Sequence, residues 1–385
     1  YPRPKESVAS DSTLIRKWYY TAYVNDTNGN NVSGATITVY GTSDLTTPIF
    51  ILTTGADGLT TSRAEITWYV NPGVPAMYYS VRAFNSTYVL LSQEWDAGAQ
   101  MNNRQNFQLV QTNLTACGTL NQANTVYTLQ NNIVTAGTCF TIGANNITLD
   151  GNGKTITGDG SGYGIDSENG YNQTTIKNFA SITNFEYGIL LYLGSNNTLT
   201  NISANSNTRY GIQLAESSNN NLTQITANSN GGEAGISLAR SSNNTLTNIL
   251  ANSNSYNGIY FEYGPSNNNN FNNITANSNA YDGIYLVGSN NNFSQLTANS
   301  NGQNGIYFEY GPSNNNNFNN ITANSNIQYG IYLSESSNNN NFNNFNIWNS
   351  STAGNYAGIY VYQSSNNVFS SGYVNQSGKY GILLQ

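Results

Sequence analysis

The stretch NGIYFEYGPSNNNNFNNITANSN occurs at Asn257–Asn279 and again, letter for letter, at Asn304–Asn326. A divergent copy lies between the two, so the true period is about half their spacing, near 24 residues. A period in that range is the signature of a solenoid, in which each repeat buries its apolar face only by stacking on its neighbours.

Outward from this block, the dipeptide Gly-Ile recurs at Gly164, Gly188, Gly211, Gly235, Gly258, Gly283, Gly305, Gly330, Gly358 and Gly381. Two residues after the Ile, nine of the ten repeats have an apolar residue: Leu191, Leu214, Leu238, Phe261, Leu286, Phe308, Leu333, Val361 and Leu384. Strand side chains alternate between faces, so both columns point into a core and the residue between them points out. A second apolar column runs Leu199, Leu222, Leu246, Phe271, Phe293, Phe318, Phe342, and three residues beyond it lies a third, Ile202, Ile225, Ile249, Ile274, Leu296, Ile321, Phe345. An offset of three breaks β alternation and predicts a corner there, hence three strands and three turns per coil. Asn205, Asn228, Asn252, Asn277, Asn299 and Asn324 follow at a fixed offset. Asn tolerates left-handed backbone, and stacked amides bond from coil to coil. The apolar residues show no stripe at helical spacing. The expected fold is all-β: an N-terminal β-sandwich followed by a right-handed parallel β-helix of about ten coils.

Three segments follow from the change in pattern: an N-terminal arm at 1–17, a β-sandwich at 18–111 and the β-helix at 112–385. The middle segment has about seven short alternating runs separated by turn signals, the mark of a sandwich. Its VNDTNGNNVSGA stretch (24–35) and TGADGLT resemble prealbumin-like or immunoglobulin-like modules of microbial surface proteins. In the β-helix, NNITLDGNGKTITG (145–158) followed by GYGI (162–165) resembles the opening coils of the pectate-lyase-like superfamily, which includes the carbohydrate-binding and sugar-hydrolase repeat class.

Only 8% of the residues are charged, His is absent, and the net charge is −7 with 12 basic residues. The basic residues form no cluster of the kind that nucleic-acid phosphates need. No run of about 18 apolar residues marks a membrane span. Cys117 and Cys139 are nearly one period apart, which lets stacked coils bring them into a disulfide and implies an oxidising compartment. Fifteen sequons (Asn25, Asn31, Asn85, Asn113, Asn146, Asn172, Asn196, Asn201, Asn221, Asn243, Asn273, Asn292, Asn320, Asn349 and Asn375) are candidate glycosylation sites, though composition alone gives about that number.

The resemblance implies sugar chemistry, which needs acids, bases or metal ligands placed together. Asp166 and Asp282 are about five coils apart, too far to act together; the His and clustered aspartates of polygalacturonase-like relatives are missing. Lys177, Arg209, Arg240 and Lys379 do not cluster. Glu216, Glu262, Glu309 and Glu335 follow the anchor glycine by four or five residues, and Glu309 with Glu335 could form a catalytic or metal pair or be solvated corner acids. Asp26, Asn28 and Asn30 have the spacing of a calcium loop, or of a hairpin turn. Tyr260, Tyr285, Tyr307, Tyr332 and Tyr360 occupy the outward column on consecutive coils: a sugar platform, a contact face between subunits, or a stabilising ladder.

These readings lead to a non-catalytic extracellular structural protein without a cofactor, not an enzyme, self-assembling into a cell-surface filament, sheath or surface layer. Assembly would be head-to-tail or by strand addition from the arm, with glycans as possible partners. An adhesin or carbohydrate-binding rod, and then a polysaccharide lyase or hydrolase, are the alternatives.

Overall fold

The computed structural model describes residues 14–26, 29–41, 44–70, 78–85, 88, 91–96, 104–110, 112–309, 311–350 and 356–385. They form two compact units, Tyr1–Asn113 and Leu114–Gln385, and every element is a strand.

In the first unit one sheet runs Ala64–Val70, Leu14–Asp26, Arg104–Leu109, and a second runs Asp44–Thr53, Thr36–Gly41, Tyr78–Phe84, Leu91–Asp96. Tyr20, Ala22, Val24 and Phe107 of the one share a buried cluster with Ile37, Val39, Val81 and Ala83 of the other. Strand Leu14–Asp26 begins inside the expected arm, because Leu14–Lys17 pair antiparallel with Val70–Thr67. That stretch is therefore committed within its own sheet; the rest of the arm lies outside the described residues. At the candidate calcium loop, both carboxylate oxygens of Asp26 accept bonds from Asn30, from its backbone and its side chain, at 2.8 and 3.0 Å, which is hairpin-turn chemistry. Asn28 lies outside the described residues.

The second unit is the solenoid. Its front sheet has 12 strands, from Gly118–Leu120 to Tyr380–Leu384, and its back sheet 13. Two front strands, Gly118–Leu120 and Phe140–Ile142, precede the first Gly-Ile, so the array is longer than that dipeptide indicates. Neighbouring strands are parallel and in register: Ile189 pairs with Ile212, Ile212 with Ile236, Ile236 with Ile259. In the back sheet Phe271, Phe293, Phe318, Phe342 and Phe369 stack at 4.3–4.8 Å between centroids.

The expected corner inside the back strand is absent. The second and third apolar columns share one strand, for example Thr198–Ser203, with Leu199 and Ile202 both buried. A single left-handed residue between them reverses the alternation: Asn201 (φ 54°), Gln224 (56°), Asn248 (57°), Asn273 (55°), Gln295 (59°), Asn320 (58°). Among the described residues a third sheet is confined to the first coils, as Ile133–Val134, Thr155–Thr157 and Ser181–Thr183.

The anchor glycine is explained by what surrounds it. A Cβ on Gly258 would sit 2.6 Å from the Gly283 carbonyl oxygen, 2.8 Å from Ala276 Cβ and 2.8 Å from Asn279 Nδ2. Gly, Ala and Asn are thus one packing unit. The Asn belongs to a fully buried ladder in which the backbone N–H of Asn207, Asn230, Asn254, Asn279 and Asn301 each donates to the side-chain oxygen of the next coil's Asn at 2.9–3.0 Å. The outer column, Asn205 to Asn324, forms a second ladder in the opposite direction, with Asn228 N–H donating to Asn205 Oδ1 at 2.7 Å. Asn254 Oδ1 accepts both the backbone N–H and the Nδ2 of Asn230. Replacing Asn254 with Ala orphans two buried donors, each costing about 1–3 kcal/mol. A fall in the urea midpoint is expected for Asn254→Ala, against near-neutrality for exposed Ser255→Ala.

Cys117 and Cys139 form a disulfide that ties the first two front strands together. Closing a 22-residue separation in the unfolded chain contributes about 3 kcal/mol in the chain-entropy account. Cys117→Ser with Cys139→Ser should lower the unfolding free energy by about that amount, and reductant should have no further effect on the double variant.

Candidate functional site

The outward face of the front sheet carries tyrosines in two columns. Before the anchor glycine they are Tyr163, Tyr187 and Tyr210, with rings 5.1 and 5.3 Å apart. After the anchor isoleucine they are Tyr260, Tyr285, Tyr307, Tyr332 and Tyr360, 4.9–5.1 Å apart in an unbroken ladder. The ladder changes column at the coil of Ala234 and Ser237. Both residues are small, and they leave room that two carboxyl groups fill.

Glu262 is 2% exposed; its Oε2 accepts from Gln213 Nε2 and Ser237 Oγ and lies within hydrogen-bond distance of Tyr210 Oη, each at 3.0 Å. Glu233 is half-exposed; it accepts from Arg209 Nη2 at 3.0 Å and also from Tyr210 Oη. Burial pushes Glu262 up; bonds from Tyr263, Tyr210 and Ser237 oppose it, and the charge of Glu233 adds to it. Burial also pushes Glu233 up, but bonds from Tyr210 and Arg209 outweigh it and hold the carboxyl below its ordinary value. Of the two, Glu262 therefore holds its proton to higher pH and Glu233 ionises first.

Beside Glu233 a hollow of about 280 Å³ opens over the next three coils. Its lining includes Glu233, the tyrosines Tyr256, Tyr281, Tyr260, Tyr285 and Tyr307, and Asn257, Asp282 and Gln303. Tyr256 and Tyr281 stack at 4.6 Å and are 44% and 39% exposed. Tyr285 stands nearly perpendicular to both neighbours, at 88° and 85°, and its hydroxyl bonds to Glu309. The chain order Tyr256-Asn257-Gly258-Ile259-Tyr260 sets the Asn257, Asp282, Asn304 column, which continues the Tyr210 position, between the stacked Tyr256 and Tyr281 on one side and the Tyr260–Tyr360 ladder on the other.

Asp282 is 2% exposed. Its Oδ1 accepts both the backbone N–H and the Nδ2 of Asn304, at 2.9 and 2.8 Å, and its own N–H donates to Asn257 Oδ1. Burial pushes its carboxyl up to about 7, against the lowering effect of the Asn304 bonds. Register links Ala234 to Asn257, and the Asn257 side chain meets Asp282, so Glu233 and Asp282 are two coils apart, roughly 10 Å along the stack. One hollow thus holds an ionised carboxylate and a carboxyl that keeps its proton to near neutrality.

The expected acidic pair is not this one. Glu309 is engaged by Tyr285, and Glu335 lies in a turn, half-buried. Glu216 faces Arg240 at 3.5 Å, in a neighbouring hollow that Arg209 also lines. Asp166 is buried and raised to about 6 by burial, then by Glu168. Glu233 sits in the NGGEAG turn two residues before the anchor glycine, at the position that Tyr256 and Tyr281 fill in the next two coils, and because that position varies from coil to coil the periodic pattern gives no sign of it. Of the sequons, Asn31, Asn146, Asn196, Asn201, Asn221, Asn243, Asn273, Asn292, Asn320 and Asn375 are exposed, and Asn25, Asn85, Asn113, Asn172 and Asn349 half-buried.

The sequence model of the right-handed β-helix region matches residues 97–294, 234–347 and 265–385, and the chain belongs to that family. The family match leaves residues 1–96 uncovered, so the immunoglobulin-like or prealbumin-like resemblance gains nothing from it. No curated protein sequence is detectably similar to the chain. Among solved structures it is similar to a periplasmic alginate epimerase (TM-score 0.44, 10% identity, 65% of this chain and 76% of that one). It is also similar to the A-module of an Azotobacter vinelandii mannuronan C-5 epimerase (TM-score 0.40, 14% identity, 69% and 83%). A third is the Dettilon tailspike protein (TM-score 0.44, 14% identity, 69% and 61%). The reading of the chain as non-enzymatic is corrected: epimerases are built on the similar β-helices, and that reading left Glu233 out of account.

Proposed function

We propose that the protein is an exported carbohydrate-active enzyme that cleaves a polysaccharide lying along the tyrosine face, with Asp282 as general acid and Glu233 as general base. The observation that carries this reading is the tyrosine-lined hollow that Glu233 and Asp282 share, the one carboxyl held below its ordinary value by Tyr210 and Arg209 and the other raised by burial. Neighbouring carboxyls with pKa values pushed apart are the usual means of dividing acid and base roles at neutral pH. Inverting enzymes set the two carboxyls about 6.5–9.5 Å apart, with room for a water molecule between base and sugar, and inversion is the outcome this reading expects of an acid and a base on coils two apart. Asp282 would protonate the leaving oxygen while Glu233 takes a proton from the attacking water. Arg209 and Tyr210 hold Glu233 ionised and oriented, and Glu262 fixes Tyr210. Glu262 is buried and does not line the hollow, so it cannot meet a bound sugar.

The disulfide fits an oxidising compartment. Self-association into a filament, sheath or layer is a separate property that this reading does not use; analytical ultracentrifugation decides it. The test of function is reducing-sugar release from a panel of polysaccharides by the wild type and by Glu233→Gln. Absence of release from every polymer, or equal release by the variant, refutes the reading. Binding retained without release would instead describe a carbohydrate-binding protein.

A further inference from the structure

We infer that the hollow over Asp282 takes an uncharged sugar ring and turns away uronates, so that the substrate is a neutral polysaccharide. This rests on the cleavage reading above for the word substrate, but the argument concerns binding alone.

Every polar group in the lining is either acidic or neutral: Glu233, Asp282, Asn257, Gln303 and the tyrosine hydroxyls. A third carboxylate, Glu309, sits behind Tyr285. Among the described residues, no Lys or Arg lines this hollow. The two arginines of the neighbouring hollow are already matched to acids: Arg209 to Glu233 at 3.0 Å and Glu186 at 3.9 Å, and Arg240 to Glu216 at 3.5 Å. A uronate carboxylate here meets Glu233, whose charge Arg209 already partners, and no unpaired cation, so it loses water without gaining an ion pair.

The lining suits sugar hydroxyls. Both bonds from Asn304 to the Asp282 carboxyl end on Oδ1, which leaves Oδ2 for a ligand. The residue stands in a column where its neighbours are Asn257 and Asn304, and an Asn would accept the same bonds without the cost of a buried carboxyl. An acid kept where an amide would be more stable points to a function for the acid. Tyr256 and Tyr281 add exposed aromatic surface beside it.

The test is affinity electrophoresis of Asp282→Asn, which preserves the polymer and keeps the Glu233 carboxylate with its Arg209 partner in place, in gels containing galactomannan, mixed-linkage β-glucan, alginate or polygalacturonate. At least one neutral polymer should retard the protein at least tenfold more strongly than either acidic one. Adding Tyr281→Ala should weaken that retardation about tenfold. Adding Gln303→Arg, which supplies a cation at a half-buried position, should raise affinity for polygalacturonate. Equal or stronger retardation by the acidic polymers, retardation by none of the four, or no change with Tyr281→Ala while thermal melts show the fold intact, overturns the inference. Release of sugar from an acidic polymer that is lost in Glu233→Gln would leave the cleavage reading standing and sink this one. Selective binding of a neutral polymer with no cleavage by the wild type would do the reverse.

Discussion

Asp282→Asn should make the protein more stable at pH 8 than the wild type, by an amount on the order of 4 kcal/mol, and should leave stability at pH 3.5 nearly unchanged. The carboxyl is raised from about 3.8 to about 7 by burial, and raising a pKa by one corresponds to about 1.4 kcal/mol. The sign follows from proton binding. Below pH 3.8 both the folded and unfolded forms hold the proton. Between 3.8 and 7 the unfolded chain releases it and the folded chain does not, so unfolding gains and stability falls by about 1.4 kcal/mol per pH unit. Above 7 both forms are ionised and the loss is complete. Asn keeps the Oδ1 acceptor for Asn304 and carries no proton, so the contribution disappears. Glu262 is also raised and bends the wild-type profile the same way, which is why the wild-type minus variant difference is the quantity to measure, by urea unfolding across pH. A difference that does not change between pH 3.5 and 8 contradicts the assignment of Asp282 as a buried, proton-retaining acid.

The solenoid was legible because its causes are local and periodic. Glycine beside a carbonyl of the next coil, alanine beside glycine, and apolar residues at Ile189, Leu191 and their equivalents repeat as the packing repeats. The strand shape was less legible. A three-residue offset between apolar columns has two physical solutions, a corner or one left-handed residue within a strand, and Asn201 or Gln224 serves either. The buried Asn207–Asn326 ladder lies two residues beyond the Asn column that the sequence pattern brings out. The site was least legible. Its tyrosines form a column, but its acids do not share one: Glu233 precedes the anchor, Asp282 adjoins it and Glu262 follows it. Only stacking makes Glu233 and Asp282 neighbours, and only burial separates their protonation states. Neither is a property of a spacing in the chain.

Glu233→Gln should reduce turnover by about 10²–10⁴-fold, the usual worth of a positioned general acid or base. Gln is isosteric and can still meet Arg209 and Tyr210, so the loss belongs to proton transfer and not to folding. The pH dependence distinguishes this from a merely structural role. Cleavage needs Glu233 ionised and Asp282 protonated. Glu233 is held below the ordinary carboxylate value by Tyr210 and Arg209 despite its partial burial, so kcat/KM should fall only on the far acid side. Asp282 loses its proton near 7, so kcat/KM should fall as pH rises through 7, with a plateau between the two limbs. Such limbs report the free enzyme's acid and base. Asp282→Asn should remove the alkaline limb and most of the rate together. Arg209→Gln frees Glu233 from its cation and should move the acid limb upward. A profile whose alkaline limb persists in Asp282→Asn assigns the acid elsewhere, and Glu216 in the adjoining hollow is then the next carboxyl to replace.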